Sequence, residues 1–172
     1  MSKSGDRVVI VDENDTPLGI KLFENMQYED IYRVVALCLT DTRSGDILMA
    51  QRKWTKRNDP GRWACAVAGT IEEGDTYDDL IVKEIKEEIG LTGLALTKGR
   101  KQFVDNGAHK FFCQWFFASV DKDTVQFTLE EDAVEQVQWF AVQELMKDTE
   151  THPEKYTPAI KGTLQFLGFG KS

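Results

Sequence analysis

GTIEEGDTYDDLIVKEIKEEIGL, residues 69–91, is the stretch from which the rest of the chain can be interpreted. Its centre predicts a helix over residues 76–89. Thr76 suits the N-cap position, and Asp79 three residues later can complete a capping box. At about 3.6 residues per turn, one arc of roughly 100° collects the apolar residues that we expect to face the core, namely Ile81, Val82, Ile85 and Ile89.

Three glutamates lie beside that apolar stripe at spacings of i, i+3 and i+4: Glu84, Glu87 and Glu88. Like charges at these spacings destabilise a helix by a few tenths of a kcal/mol per pair. A hard divalent cation would reverse that cost, because Mg²⁺ prefers oxygen ligands and keeps room for substrate phosphates. The spacing alone is more typical of a solvated acidic helix face.

The flanking residues make the pattern specific. The stretch resembles the Nudix box, G-x5-E-x7-R-E-U-x-E-E-x-G-U, in which U is a bulky apolar residue. Two positions depart conservatively, Asp75 for the first Glu and Lys83 for the Arg. Seven positions match: Gly69, Glu84, Ile85, Glu87, Glu88, Gly90 and Leu91.

This resemblance implies an α/β protein with the Nudix fold, an α/β/α sandwich around a mixed β-sheet. It implies that Glu84, Glu87 and Glu88 bind Mg²⁺ or Mn²⁺ together with a main-chain carbonyl near Ala68 or Gly69. It further implies that the basic residue Lys83 holds the carboxylates in place, and an ion pair with Glu87 at i+4 is within its reach. Asp75 is shorter than Glu, so we expect its contact with the metal cluster to be looser.

The remaining pattern predicts one domain over residues 7–172, preceded by a flexible N-terminus at 1–6. We expect strands at 7–11, 32–40, 47–52, 63–68 and 134–140, and two strands around an Asn-Gly turn within 103–117. A polar loop at 53–62 separates two of these strands. A short helix is expected from residue 141 and a terminal helix at 157–167.

The order of motifs along the chain resembles the isopentenyl-diphosphate-isomerase-like branch of the family. Where that resemblance implies the isomerase's catalytic Cys and metal-binding His, this chain has Ala68 and Thr70. Cys65 lies three positions too early, and strand alternation predicts that it faces away from Ala68. The strand at 110–117 carries Gln114 but none of the expected carboxylates. These differences favour a hydrolase over an isomerase.

A hydrolase of this kind acts through a metal and a water. Glu87 and Glu88 are the first candidates for the catalytic base. The Nudix resemblance also implies an acid six residues before a Trp, where this chain has Ala133 flanked by Glu131, Asp132 and Glu135. Five cationic residues are candidates for contacting an organic diphosphate: Arg33, Arg52, Lys56, Arg57 and Arg62.

Composition limits the remaining possibilities. A net charge of −8 argues against a binder of nucleic-acid polymers. Three cysteines without a CxxC pair, and no membrane-spanning or signal-like run, predict a cytoplasmic protein that does not contact a membrane. We expect Cys38 and Cys113 to be buried, Phe103 and Trp115 to pack in the core, and His109 to be exposed. An isopentenyl-diphosphate isomerase, a non-catalytic nucleotide-binding module and a homodimeric assembly all remain open.

Overall fold

The computed structural model describes residues 5–169, so most of the predicted flexible N-terminus lies outside the described residues. Within this range nine strands form one sheet. They are β1 (Arg7–Val11), β2 (Pro17–Leu22), β3 (Ile31–Asp41), β4 (Ile47–Arg52), β5 (Trp63–Cys65), β6 (Val67–Thr70), β7 (Thr97–Asp105), β8 (Lys110–Val120) and β9 (Val134–Phe140). The helices are α1 (Tyr77–Ile89), α2 (Val142–Thr151) and α3 (Ile160–Phe166).

The sheet is mixed and is organised around β3. This strand pairs in parallel with β8 and antiparallel with β1, β4 and β6. β4 in turn pairs with β5 and β9, and β7 pairs with β8. The near-continuous apolar sequence of β3 follows from this central position, because both of its faces are covered.

Successive side chains of β3 enter two different cores, as the alternation of a strand requires. Val35, Leu37 and Leu39 pack in one cluster with the apolar face of α1. Ala36 and Cys38 pack in another cluster, on the side of α2 and α3. Helices therefore cover both faces of the sheet, and the predicted α/β/α sandwich is confirmed.

Helix α1 begins and ends as its sequence predicts. The side chain of Thr76 accepts a hydrogen bond from the Asp79 N–H, and its hydroxyl donates to the Asp79 carboxylate. Gly90 ends the helix in the left-handed conformation, with φ +74°. The predicted core face is wrong at Val82, which is 56% exposed. Glu84 and Glu88 are buried instead, beside Ile81, Ile85 and Ile89.

The other differences are local. The predicted strand at 63–68 is interrupted at Ala66, which separates β5 from β6. Strand β7 begins at Thr97, earlier than predicted, and α3 begins only at Ile160. Cys38 and Cys113 are buried as expected. Between residues 5 and 169 no helix is both long and apolar enough to span a bilayer.

Candidate active site

A cleft of about 260 Å³ opens where the start of the Nudix-like stretch meets the loop that follows β4. Ala68, Gly69, Thr70 and Glu88 contribute to one wall. The 53–62 loop contributes a second wall, and aromatic side chains contribute a third. The second wall includes Arg52, Lys56, Arg57, Asn58 and Asp59. The third wall includes Phe23, Tyr32, His109 and Phe111.

Glu88 is the acidic residue of α1 that lines this cleft. Its side chain is 3% exposed, and its Oε2 accepts a hydrogen bond of 3.2 Å from the backbone N–H of Ala68. The other oxygen, Oε1, is buried and has no hydrogen-bond partner within the described part of the chain. Burial raises the pKa of Glu88 well above its usual range, and the neighbouring carboxylates of Glu84 and Glu130 act in the same direction.

Glu84 lies against the backbone of Gly69. A Cβ atom at residue 69 would lie 2.5 Å from Cγ and 2.8 Å from Oε1 of Glu84, so only glycine leaves room for this carboxylate. Burial also raises the pKa of Glu84, and the nearby charge of Lys83 opposes that shift. Gly69 and Glu84, two of the residues that match the Nudix box, therefore lie side by side.

The other Nudix-box residues lie outside the cleft. Glu87 and Lys83 are exposed, and no ion pair joins them within residues 5–169. Burial raises the pKa of Glu72 and of Glu84, and the positive charge of Lys83 opposes both shifts. Asp75 accepts a hydrogen bond of 3.3 Å from the Glu72 N–H, and so closes the turn that precedes α1. The predicted Lys83–Glu87 pair is therefore wrong for this structure.

Three of the five predicted cationic residues line the cleft. Arg52 is partly buried, and its Nε and Nη2 donate hydrogen bonds of 3.0 and 2.7 Å to the Asn58 carbonyl. Arg52 has no acidic partner within ion-pair distance in residues 5–169, while its burial lowers its pKa. Lys56 and Arg57 follow it around the same wall. This wall is suited to an anionic ligand.

The structure does not bring Arg33 or Arg62 into the cleft. Arg33 points to the opposite face of β3 from the cleft residue Val34, and its Nε donates to Asp15 at 2.6 Å. Arg62 forms an ion pair of 3.3 Å with Asp59, and its guanidinium donates to the Tyr156 carbonyl. Both side chains therefore stabilise the fold around the cleft.

The later loop brings a different acid to the site from those that the sequence suggested. Ala133 lines the cleft, as counting back from Trp139 had indicated, but it has no ionisable group. Glu131 is exposed, and Glu135 pairs with Lys53 at 3.2 Å. Glu130, whose backbone N–H donates to the Glu88 carbonyl at 3.1 Å, is the acid whose charge reaches Glu88. No spacing in the sequence marks it.

Cys65 and Ala68 both line the cleft, so the prediction that they face opposite ways is wrong. The interruption at Ala66 breaks the alternation on which that prediction depended. The Cys65 thiol donates a hydrogen bond to the Val67 carbonyl at 3.4 Å, and burial raises its pKa to about 12. This thiol therefore stays protonated at neutral pH.

The aromatic wall was not found from the sequence. The His109 ring stacks on Phe23 with ring centroids 6.1 Å apart, and it meets Tyr32 edge to face at 6.2 Å. His109 is therefore partly buried at the cleft, whereas the sequence predicted an exposed residue. Phe103 was also predicted incorrectly, since it is 49% exposed, while Trp115 is buried as expected.

The residues present fit a divalent cation in two respects. Glu88 has a buried oxygen without a partner, and Gly69 leaves space for a second carboxylate. Both donors are oxygens, as Mg²⁺ and Mn²⁺ require. No three acidic, histidine or cysteine side chains of residues 5–169 are already arranged to hold an ion. Glu87 would have to turn from solvent towards Glu84 and Glu88 to complete the set.

Comparison with known proteins agrees with this geometry. The mixed sheet with helices on both of its faces defines an α/β protein with the Nudix fold. A family model described as the NUDIX domain matches residues 31–160, most of the chain. The protein therefore belongs to the Nudix family.

Curated relatives carry two kinds of name. "Uncharacterized Nudix hydrolase PA4841" of Pseudomonas aeruginosa is 25% identical over 120 residues, which cover 70% of this chain and 71% of the relative. An isopentenyl-diphosphate Delta-isomerase of Kocuria rhizophila is 26% identical over 160 residues, which cover 89% of this chain and 87% of the relative. Identity at this level does not choose between the two activities.

Solved structures share the fold. DR0079 from Deinococcus radiodurans superposes with a TM-score of 0.82 at 17% identity, covering 95% of this chain and 99% of that protein. The NUDIX domain of Shewanella oneidensis NrtR, solved with ADP ribose, gives a TM-score of 0.55 at 13% identity, with coverages of 67% and 75%.

Proposed function

We propose that the protein is a hydrolase that cleaves the diphosphate bond of a small organic substrate with the help of Mg²⁺ or Mn²⁺. The observation that carries this proposal is the unpartnered, buried Oε1 of Glu88, which lies in a cleft whose opposite wall is cationic. Burying a carboxylate oxygen without a partner is costly, so a ligand that contacts it must contribute the compensating energy.

We assign different roles to the acidic residues of α1. Glu84 and Glu88 are buried beside the β6 backbone, and we assign them, with a main-chain carbonyl of Ala68 or Gly69, to hold the cation. When bound, the cation withdraws charge from the diphosphate and makes water a better nucleophile. Glu87, which is exposed, would complete this set by turning towards the cation, where it could also accept a proton from the water, and Glu130 is a further candidate base whose charge reaches Glu88.

The cationic wall orients the substrate. Arg52 is held rigidly by the Asn58 carbonyl while its charge stays unpaired, so it can bind a phosphate oxygen with little loss of side-chain entropy. Lys56 and Arg57 extend this positive surface along the cleft. The protein as a whole is acidic and would repel an anionic substrate. The positive charge concentrated at this wall offsets that repulsion locally.

An isomerase is the second candidate, since several relatives carry that name and Cys65 lies in the cleft. The thiol bonded to the Val67 carbonyl is protonated at neutral pH, and Ala68 and Thr70 bring no proton-transfer group to the wall. A non-catalytic nucleotide-binding module is the third candidate. The retained carboxylates of α1 count against it.

Phosphate release from a panel of nucleoside and isoprenoid diphosphates, with and without Mg²⁺, tests the proposal. We expect metal-dependent turnover by the wild type. Glu88→Gln should lower kcat by about a hundredfold or more, because the cation that activates the water loses a ligand. Glu144→Gln, at an exposed position of α2, is the matched control and should leave turnover unchanged.

Two outcomes would overturn the proposal. Conversion of isopentenyl diphosphate to its isomer without phosphate release would establish the isomerase. Ligand-dependent thermal stabilisation with no turnover of any compound in the panel would establish the binding module.

A further inference from the structure

A second cavity of about 190 Å³ continues from the cleft towards α3. Arg52, Cys65, Ala68 and Asn106 line both spaces, so the inner cavity is reached directly from the proposed diphosphate site. Pockets for complete drug-sized ligands measure roughly 300–1,000 Å³. The inner cavity is thus sized for one part of a substrate.

The alternation of β7 and β8 builds the walls of this cavity. Gln102, Val104 and Asn106, every second residue along the end of β7 and its turn, face it together. On β8, Phe111, Cys113 and Trp115 follow the same rule. The walls are therefore mainly apolar and aromatic, and two carboxamide groups stand on one of them.

The orientation of the Gln102 carboxamide is fixed by Trp115. The indole Nε1 of Trp115 donates a hydrogen bond of 3.0 Å to Oε1 of Gln102. An indole nitrogen can only donate, so the amide atom that it meets must be the oxygen. The Gln102 Nε2 group consequently has two donor hydrogens with no partner among residues 5–169, at the cavity wall.

Asn106 is oriented in the same manner by the turn that joins β7 to β8. Its Oδ1 accepts hydrogen bonds from the backbone N–H groups of Ala108 at 3.0 Å and His109 at 2.8 Å. Backbone N–H groups also donate only, so the Nδ2 group is directed away from the turn. The structure thus presents a second pair of free amide donors at the same cavity.

We propose that Gln102 and Asn106 determine substrate specificity. Their amide groups donate hydrogen bonds to acceptor atoms of a planar ring that occupies the inner cavity. Nucleobases have such rings. The phenyl ring of Phe111 and the indole of Trp115 provide apolar surface for the ring, and the two amide groups provide donors for its acceptor edge. This inference rests on the proposed function for the reaction that the substrate undergoes. The inference itself concerns only how the organic group of the substrate is bound.

A hydrocarbon chain fits these walls less well. It would displace water from the Gln102 and Asn106 amide groups and leave their donors unsatisfied. Leaving a buried donor unpaired is costly, because the group gives up its hydrogen bonds to water and gains none in return. Sites built to pair with polar atoms of a ligand therefore reject analogues that lack those atoms.

Binding of monophosphates in the absence of metal tests the inference without any turnover. The probes are the four common ribonucleoside 5′-monophosphates and isopentenyl monophosphate, measured by isothermal titration calorimetry with the full chain. We expect at least one nucleotide to bind tenfold or more tightly than the hydrocarbon compound. Gln102→Glu and Asn106→Asp should each weaken that nucleotide's binding by tenfold or more, since each keeps the acceptor atom but removes the donors.

The design separates loss of fold from loss of recognition. Both substitutions retain the hydrogen bonds from Trp115 or from the turn, so the melting temperature should change little. Gln143→Glu introduces the same charge at an exposed position of α2 and should leave binding unchanged. Equal affinity for the hydrocarbon compound and all four nucleotides, or unchanged nucleotide affinity in both variants, would overturn the inference.

The two proposals can fail independently. Nucleotide binding that requires Gln102 and Asn106, with no diphosphate cleaved, would support this inference and refute the hydrolase. Metal-dependent hydrolysis that is equally fast with isoprenoid and nucleoside diphosphates would support the hydrolase and refute this inference.

Discussion

The backbone N–H of Ala68 donates a hydrogen bond to Oε2 of Glu88 and thereby ties β6 to the last turn of α1. The opposite oxygen of the same carboxylate is buried without a partner. One side chain therefore has a structural contact on one oxygen and a free ligand position on the other. This division allows the two roles of Glu88 to be separated by substitution.

We predict that Glu88→Gln removes metal binding without lowering the stability of the metal-free protein. Glutamine can still accept the bond from Ala68, and burying a neutral amide costs less than burying a carboxylate. The melting temperature of the metal-free variant should equal or exceed that of the wild type. Millimolar Mn²⁺ should raise the melting temperature of the wild type and of Glu144→Gln, but not that of Glu88→Gln. A variant that Mn²⁺ still stabilises would place the cation elsewhere.

Gly69→Ala should impair activity more than folding. The added methyl group would lie 2.5 Å from Cγ of Glu84 and so displace the carboxylate from the backbone. We expect kcat to fall by roughly tenfold or more, because positioning contributes strongly to rate. Gly162→Ala is the matched control, since a Cβ there meets nothing within 4 Å. It should leave kcat unchanged and stabilise α3 by up to about 1 kcal/mol. Equal activity of the two variants would contradict the role given to Gly69.

Local features of α1 were predictable because they depend on neighbours in sequence. The cap at Thr76, the terminating Gly90 and the acidic spacing all follow from single-helix geometry. The burial of Glu84 in place of Val82 did not follow, since a hydrophobic pattern assigns carboxylates to solvent. The metal-binding role proposed for Glu84 would account for this departure from the pattern.

Long-range features were harder to predict. The first six of the nine residues of β7, from Thr97 to Gln102, are polar and largely exposed, and the strand forms by pairing with the apolar β8. Glu130 approaches Glu88 from the loop before β9, and the aromatic wall combines side chains from distant parts of the chain, so no spacing along the sequence marks them. The orientation of Cys65 was predicted incorrectly because the prediction assumed an unbroken strand. The interruption at Ala66 changes which residues share a face, and no pattern in the sequence indicates it.

Arg52→Lys should raise KM more than it lowers kcat. Lysine retains the charge, but it lacks the planar fork with which Arg52 donates twice to the Asn58 carbonyl. We expect a KM about tenfold higher, because the ammonium group must be ordered on binding. Arg43→Lys changes an arginine that pairs with Asp121 outside the cleft, and it should leave both constants unchanged. If kcat alone fell, Arg52 would act in the transition state instead of in substrate binding.

Asp41 should make stability depend on pH in the acidic range. Backbone N–H groups of Lys122 and Ser44 donate to its carboxylate at 2.9 and 2.7 Å, and these hydrogen bonds hold its pKa below the unfolded value. A lowered folded pKa contributes stability that is fully present above the unfolded pKa of about 4 and is lost as pH falls towards the folded pKa. Asp41→Asn keeps one acceptor oxygen and loses the charge, so its melting temperature should fall well below that of the wild type at neutral pH. The difference should narrow towards about pH 3.

Asp132→Asn, at an exposed position, should match the wild type throughout. A difference that stays constant from neutral to acidic pH would show that the lost hydrogen bonds, and not the ionisation of Asp41, account for the effect.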